Sequence, residues 1–177
     1  MLTLAALFLL VLGTARAQMN QTCCPPQYSA LSYCGRMDIL TDYYYDSVTG
    51  DNLSVDTKGN LVMFQQAHTG RLYTRHLSNN TCTYQEFSEL VGLHNCIDST
   101  MTFMGAIKLD GKTVYEWHAH TSTLDSTIIV DDMCVPKILH RRLNDSPLLS
   151  AVYFNSIPHA NVSAVARFDK TGCLKAM

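Results

Sequence analysis

Short segments in which apolar and polar positions alternate run through most of the chain. Residues 37–46 alternate with Tyr43 and Tyr45 on one face, the period of a half-buried strand. Segments of the same kind follow at residues 53–56, 61–66, 71–77, 82–84, 126–130, 136–141, 148–157 and 162–168. Turn residues separate these segments, and no alternation of strands with long helices occurs. The pattern predicts an antiparallel all-β domain.

Two segments depart from this alternation. Residues 21–35 are rich in Cys, Pro, Ser and Tyr without a clear period, which predicts an extended lead-in held by disulfides. Residues 85–93 have the spacing of one or two helical turns. At most one or two short helices are therefore expected.

The sequence of residues 101–121 predicts a central hairpin, because Asp110-Gly111 is a strong signal for a two-residue loop. That loop sets Leu109 opposite Lys112 and, counting back, Phe103 opposite His118. Both faces of the hairpin are largely apolar, so each needs a cover of protein or ligand. The face expected to point inward is the more continuous apolar one, formed by Met104, Ala106, Tyr115 and Trp117.

The N-terminus has the pattern of a secretory signal. An apolar run over residues 2–12 precedes Ala15-Arg16-Ala17, a cleavage pattern. Residues 1–17 are predicted to be the signal peptide and residues 18–177 a single domain. No later stretch approaches the ~20 apolar residues of a membrane span. The expected product is secreted and extracellular.

Charge and motifs exclude several functions. The 13 Lys and Arg against 15 Asp and Glu give a net charge of -2, which argues against a nucleic-acid partner. Neither G-x-S-x-G nor a cysteine in a protease context occurs. We therefore expect no catalytic residues and a protein that is not an enzyme.

Seven cysteines and five N-x-S/T sequons follow the predicted cleavage site. Six cysteines can form disulfides in a secreted chain and one is left over, but spacing alone leaves the pairing open. Of the sequons, we expect glycosylation at Asn52, Asn79 and Asn161, and less at Asn20 and Asn144.

Candidate metal ligands are few. Glu116, His118 and His120 alternate along one strand and share a face, a geometry that can hold a metal, although surface or packing roles are commoner for such residues. Calcium prefers oxygen ligands, but no EF-hand spacing occurs among Asp42, Asp46, Asp51, Asp56, Asp131 and Asp132. The metal ligands stay unknown.

A series of short sequence motifs, taken in order, resembles the ependymin-related proteins. The motifs are spread over nearly all of residues 18–177. They are Cys24-Pro25, Tyr45-Asp46, Gly70-Arg-Leu-Tyr73, Asn80-Thr-Cys82, Glu116-Trp117, Cys134-Val-Pro136 and the stretch from Phe168 to Cys173. One departure is that Asp169-Lys-Thr-Gly172 stands where the family often has two prolines.

The resemblance implies a secreted glycoprotein in which two stacked, curved antiparallel sheets form an open half-barrel with an apolar pocket. It also implies hydrophobic ligands, association with calcium, homodimers, contact with extracellular matrix and, for some members, a lysosomal location. The disulfides that it implies are Cys24–Cys134 and Cys82–Cys173. With these carried over, we favour Cys34–Cys96, which leaves Cys23 free or able to bridge two subunits.

Two functions follow as hypotheses. The first is a non-enzymatic protein that binds a lipid-like small molecule in the half-barrel pocket, with no cofactor unless calcium. The second is a structural or adhesive matrix glycoprotein whose core is filled by its own side chains. The candidate pocket residues are Tyr43, Tyr45, Phe64, Met104, Tyr115, Trp117 and Tyr153. An enclosed apolar cavity would favour the first hypothesis.

Overall fold

The structure is a computed structural model, and it describes six stretches of the chain. These are residues 23–35, 37–86, 96–97, 100–120, 124–143 and 146–176. The expected signal peptide, the sequons at Asn20 and Asn144, and residues 87–93 of the expected helical turns lie outside them.

The described chain is mostly strand, which confirms the all-β prediction. Its strands are β1 (Tyr28–Cys34), β2 (Ile39–Tyr45), β3 (Asn52–Asp56), β4 (Leu61–Gln66), β5 (Arg71–His76), β6 (Thr81–Glu86), β7 (Thr102–Leu109), β8 (Lys112–His120), β9 (Leu124–Val130), β10 (Pro136–Leu143), β11 (Ser146–Pro158) and β12 (Leu174–Lys175). A 3-10 turn (Ala67–Thr69) and one short helix, α1 (Ser163–Ala166), complete the described elements.

All strands belong to one sheet, in the order β12-β6-β5-β4-β3-β2-β1-β11-β10-β9-β8-β7. Every pairing is antiparallel except that of β12 with β6. The resemblance implied two stacked sheets. The described strands instead form one continuous sheet, because β1 pairs with β2 on one side and with β11 on the other. The sheet is open, with β12 and β7 at its edges.

The strand that joins the two halves was missed from sequence. Residues 21–35 were expected to be irregular, but 28–34 form β1, in which Tyr28, Ala30, Ser32 and Cys34 are buried in strict alternation. Serine and cysteine at two inward positions hid the period. Conversely, 162–168 was expected to be a strand, but Ser163–Ala166 forms α1.

The central hairpin follows the predicted register from the turn to Gly105, which pairs with Glu116. Beyond that point a bulge at Met104 shifts the register, so Phe103 pairs with Trp117 instead of His118. Gly105 has φ 154, a conformation that side chains disfavour. The bulge turns Met104 outward, where it is 55% exposed. Met104 was expected to face inward and does not. Ala106 was expected on the same inward face and is exposed as well.

The two halves of the sheet bury opposite faces. Tyr43 and Leu53 point to opposite sides, because Leu53 pairs with Tyr44, the next residue along β2. We call the side that carries Tyr28, Tyr43, Tyr45 and Tyr153 the tyrosine face. The helix face is the opposite side, where α1 covers a core of Leu53, Phe64, Tyr73, Val162 and Val165.

The disulfides correct two of the expected pairs. Cys82–Cys173 is confirmed, with a Cα–Cα distance of 4.5 Å. Cys23, expected to be free, bonds Cys134, and Cys24 bonds Cys96, in place of Cys24–Cys134 and Cys34–Cys96.

The physical reason is a backbone bridge between Cys23 and Ile97, with N···O distances of 2.9 and 2.7 Å. The bridge holds Cys24 next to Cys96, whereas Cys34 is buried within β1 as the free thiol. Three disulfides are consistent with an oxidising environment. In the described part of the chain, no helix has the length and apolar character needed to span a membrane.

Candidate functional site

Four buried tyrosine rings form the centre of the tyrosine face. Tyr28 and Tyr45 are direct partners across β1 and β2, with ring centroids 5.4 Å apart. Tyr43 and Tyr153 meet edge to face at 5.2 Å, a favoured aromatic geometry. Each of the four side chains is at most 7% exposed. They bring β1, β2 and β11 together around one aromatic surface.

The aromatic surface continues toward the hairpin. Trp117 on β8 pairs with Ile128 and contacts the ring of Phe103 at a centroid distance of 5.0 Å. Phe103 and Tyr115 are partly buried and pack against the same cluster. Side chains from six neighbouring strands, β2-β1-β11-β10-β9-β8, thus share one hydrophobic cluster.

Five of the seven predicted pocket residues meet in this cluster. They are Tyr43, Tyr45, Tyr115, Trp117 and Tyr153. Phe64 lies outside this cluster because its side chain is on the helix face, where its ring stacks on that of Phe168 at a centroid distance of 4.9 Å. Met104 is excluded by the bulge described above. The alternating patterns of β2, β8 and β11 were enough to predict these five residues. A bulge and a change of buried face leave no such pattern in the sequence, so Met104 and Phe64 were wrongly included.

Polar side chains are interleaved with the rings of the tyrosine face. Ser32, Thr41, Ser126 and Arg141 are all at most 6% exposed. Thr41 Oγ1 donates to the backbone oxygen of Ser32 at 3.4 Å. Burying polar groups costs free energy unless they bond. The face is therefore not a purely hydrophobic core.

Arg141 is the most unusual of these residues, and it was missed from sequence. Its Nε donates to Ser126 Oγ at 3.2 Å across the β9–β10 pair. Its Nη1 is buried and makes no hydrogen bond with the described residues. A signal was present in the sequence, since Arg141 occupies the inward phase of β10 set by buried Leu139. A charged residue at a strand position where the alternation predicts a buried apolar side chain is the sequence signal for a buried charge of this kind.

Burial changes the proton affinity of these groups. It lowers the pKa of Arg141 to about 10, and the nearby Tyr153 and Tyr43 partly offset the fall. Burial also raises the pKa of Tyr28 and of Tyr153 well above the usual tyrosine value, and neighbouring tyrosines add to the rise. At neutral pH Tyr28 and Tyr153 are therefore neutral, and Arg141 is a buried cation beside Tyr153.

The helix face has an open depression of about 420 Å³. It is lined by Leu53, Val55, Val62, Arg75, Ala164, Arg167, Phe168 and Asp169. Arg75 has a structural role, because its Nη2 donates to the backbone oxygens of Asp169 and Thr171 at 2.9 and 3.2 Å. These bonds fix the segment that leads to the Cys82–Cys173 disulfide. The depression is a rival location for an apolar ligand.

The candidate metal ligands do not converge within the described residues. Glu116 Oε1 and His118 Nε2 lie 3.0 Å apart as a pair, while exposed His120 lies 3.8 Å from Asp125. No group of three or more His, Cys, Asp or Glu suited to a metal occurs in the described stretches.

Four of the candidate calcium carboxylates accept hydrogen bonds from backbone N–H groups. Asp46 bonds Val48, and Asp56 bonds Lys58. Asp51 bonds Ala67, and Asp131 bonds Met133 and Val135. These contacts explain why aspartate stands at those positions. They leave calcium association a prediction.

The predicted glycosylation sites differ in their surroundings. Asn79 and Asn161 are exposed at turns, and their side-chain oxygens accept N–H groups of Thr81 and Ser163. Asn52 lies half-buried in β3, paired with Gln65 of β4. Asn79 and Asn161 are therefore the more accessible of the three.

Comparison with known proteins gives a fold likeness. No family model matches the sequence, and no curated protein matches it. The chain is similar to solved structures that include the crystal structure of an uncharacterized conserved protein from Thermus thermophilus, with a TM-score of 0.53 at 10% identity. That alignment covers 85% of this chain and 91% of the other. The likeness shows the fold alone, and the comparisons do not support the ependymin resemblance, which stays a prediction.

Proposed function

We propose that this protein is a secreted, non-enzymatic glycoprotein that binds a lipid-like ligand against the tyrosine face. The observation that supports this most is the convergence of Tyr43, Tyr45, Tyr115, Trp117 and Tyr153 on one face of an open sheet. Pockets for small molecules are typically lined by aromatic and apolar side chains with a few polar groups. The buried Ser32, Thr41, Ser126 and Arg141 supply those polar groups.

Burial of apolar surface is the expected driving force. Each buried methylene of a ligand contributes about 0.8 kcal/mol, so a chain of about ten methylenes contributes about 8 kcal/mol before the costs of association. Phe103 and Tyr115, partly buried at the border of the cluster, retain surface that a ligand can cover. These two side chains are the first contacts that we assign to an entering chain.

A structural matrix glycoprotein is the second candidate. The observation that favours it is that the four central tyrosines already bury one another, as they would in a self-filled core. Exposed Asn79 and Asn161 suit glycan attachment in either case. Calcium association, homodimer formation and a lysosomal location rest on the ependymin resemblance and stay predictions.

Two measurements distinguish these candidates. Organic extraction of natively purified protein followed by mass spectrometry should recover a bound lipid, and a fluorescent fatty-acid probe should bind the delipidated protein. Tyr115→Ala should weaken probe binding because it removes a ring from the tyrosine face. Val62→Ala, in the depression on the helix face, should leave probe binding unchanged.

Repeated preparations that contain no lipid and bind no probe would favour the matrix glycoprotein. Probe binding that responds to Val62→Ala and not to Tyr115→Ala would move the site to the helix face. Each result thus names one of the three alternatives.

A further inference from the structure

Arg141 places a positive charge inside the tyrosine face. It lies on β10 opposite Ser126 of β9 and is 6% exposed. A guanidinium has five N–H donors, of which Nε–H donates to Ser126 Oγ. Buried Nη1 donates to no described atom. Its donors are therefore available to an acceptor that arrives on this face.

No described carboxylate neutralises this charge. The described ion pairs of Arg and Lys join Glu86 to Arg71 and Lys175, and Asp131 to Lys137. Arg141 forms none of them. Its neighbours with electrostatic influence are Tyr153 and Tyr43, and the raised pKa of Tyr153 keeps that phenol neutral at physiological pH.

A buried cation without an anion is costly, and removing a partner from a buried pair is among the most destabilising changes. The neighbouring position on the same strand shows the ordinary arrangement, since Arg142 is exposed and its Nε donates to His140 Nε2 at 3.2 Å. Arg141 thus differs from Arg142 in being buried away from the solvent that would otherwise hydrate its charge. An acidic group bound on the tyrosine face would complete its environment.

We propose that Arg141 binds the acidic head group of the ligand, which is therefore a single-chain amphiphile with a carboxylate or phosphate head. This inference rests on the proposed function. The aliphatic chain packs on the aromatic side chains of the face, and the head group accepts hydrogen bonds from Nη1. Charge-assisted bonds of this kind are short and strong. The head group then gives orientation and selectivity, while the chain gives most of the affinity.

The test measures head-group preference at a fixed chain. Delipidated full-length protein is titrated at pH 8 with oleic acid, oleyl alcohol and oleoyl lysophosphatidic acid, each displacing a fluorescent fatty-acid probe. Wild-type protein should bind both acids about tenfold to hundredfold more tightly than the alcohol, the range expected for hydrogen bonds to a charged group. Arg141→Met should bind acids and alcohol within about threefold, since only hydrophobic burial remains. The control Arg142→Met should retain the preference.

The relative affinities of the two acids identify the source of the head group. A preference that is unchanged in Arg141→Met, or no preference in the wild type, overturns the assignment to Arg141 while the proposed function stands. If wild-type protein binds none of the three amphiphiles, the proposed function fails together with the inference. Arg141→Gln, which keeps polarity without charge, serves as the second variant if Arg141→Met does not fold, and it should lose the preference equally.

Discussion

Replacing Arg141 by methionine should stabilise the delipidated protein. Burial lowers the pKa of Arg141 from its usual value to about 10. Each tenfold change in proton affinity equals about 1.4 kcal/mol, so the charge costs the folded state about 3 kcal/mol. The substitution removes that cost, but it also removes the hydrogen bond to Ser126, which lowers the gain in stability by about 1 kcal/mol. We therefore expect Arg141→Met to raise the free energy of unfolding by about 2 kcal/mol, in line with buried charges replaced by apolar side chains.

The sign of the pH dependence follows from the same shift. Because the folded state binds the proton of Arg141 less tightly than the unfolded chain, the cost applies in full at every pH below about 10. It disappears as the pH rises further, toward the higher pKa of Arg141 in the unfolded chain. The stabilisation by Arg141→Met should therefore be constant across the neutral range.

The assay is urea unfolding followed by the fluorescence of Trp117, the only tryptophan in the chain and buried on the tyrosine face. An increase of about 2 kcal/mol corresponds to a rise in Tm of roughly 4–8 °C for a domain of this size. The exposed neighbour supplies the control, since Arg142→Met should change stability by less than about 0.5 kcal/mol. A loss of about 2 kcal/mol or more in Arg141→Met would refute the reasoning, because Arg141 would then be a structural partner.

Three further predictions test other parts of the structure. In the double variant Cys82→Ala, Cys173→Ala the free energy of unfolding should fall by up to about 4–5 kcal/mol, because the disulfide closes a loop of 91 residues and so restricts the unfolded chain. Differential scanning calorimetry checks this. The unfolding free energy should fall above about pH 10, because the unfolded chain ionises its tyrosines more readily than the buried ones, and the fall should be smaller in Tyr153→Phe. Gly105→Ala should cost about 1–3 kcal/mol at its positive φ, whereas Gly35→Ala, which has no positive φ and no close contact, should be nearly neutral by urea titration.

Local pattern predicted the strands well where one face is apolar and the other polar. The bounds expected for β4 match the structure, and those for β2 and β10 differ by two residues at most. The Asp110-Gly111 loop also gave the correct hairpin register as far as Gly105. These features depend on neighbours along the chain, which the sequence displays directly.

Long-range arrangement was harder to predict. The swap between Cys23 and Cys24 depends on a bridge between Cys23 and Ile97, which no spacing reveals. The strand β1 was hidden by inward serine and cysteine. The change of buried face between Tyr43 and Leu53 placed Phe64 away from the predicted pocket.

Only part of the candidate site could be predicted, because only part of it depends on local alternation along a strand. Tyr43, Tyr45 and Trp117 were found by the period of β2 and β8, which the structure preserves. Arg141 was missed because a charged residue is normally assigned to the solvent side of a strand. Its shared phase with Leu139 was the available signal, and its pairing with Ser126 and its burial show its position in the structure.

Photolabelling tests most directly whether a ligand occupies the tyrosine face. A fatty acid with a diazirine in its chain is bound to the delipidated protein, irradiated, and located by peptide mass spectrometry with and without excess oleic acid. We predict competed labels on tyrosine-face residues of β1, β2, β8, β9, β10 and β11. Labels confined to the helix-face depression around Val62 and Phe168, or labels that oleic acid does not compete, would contradict the account.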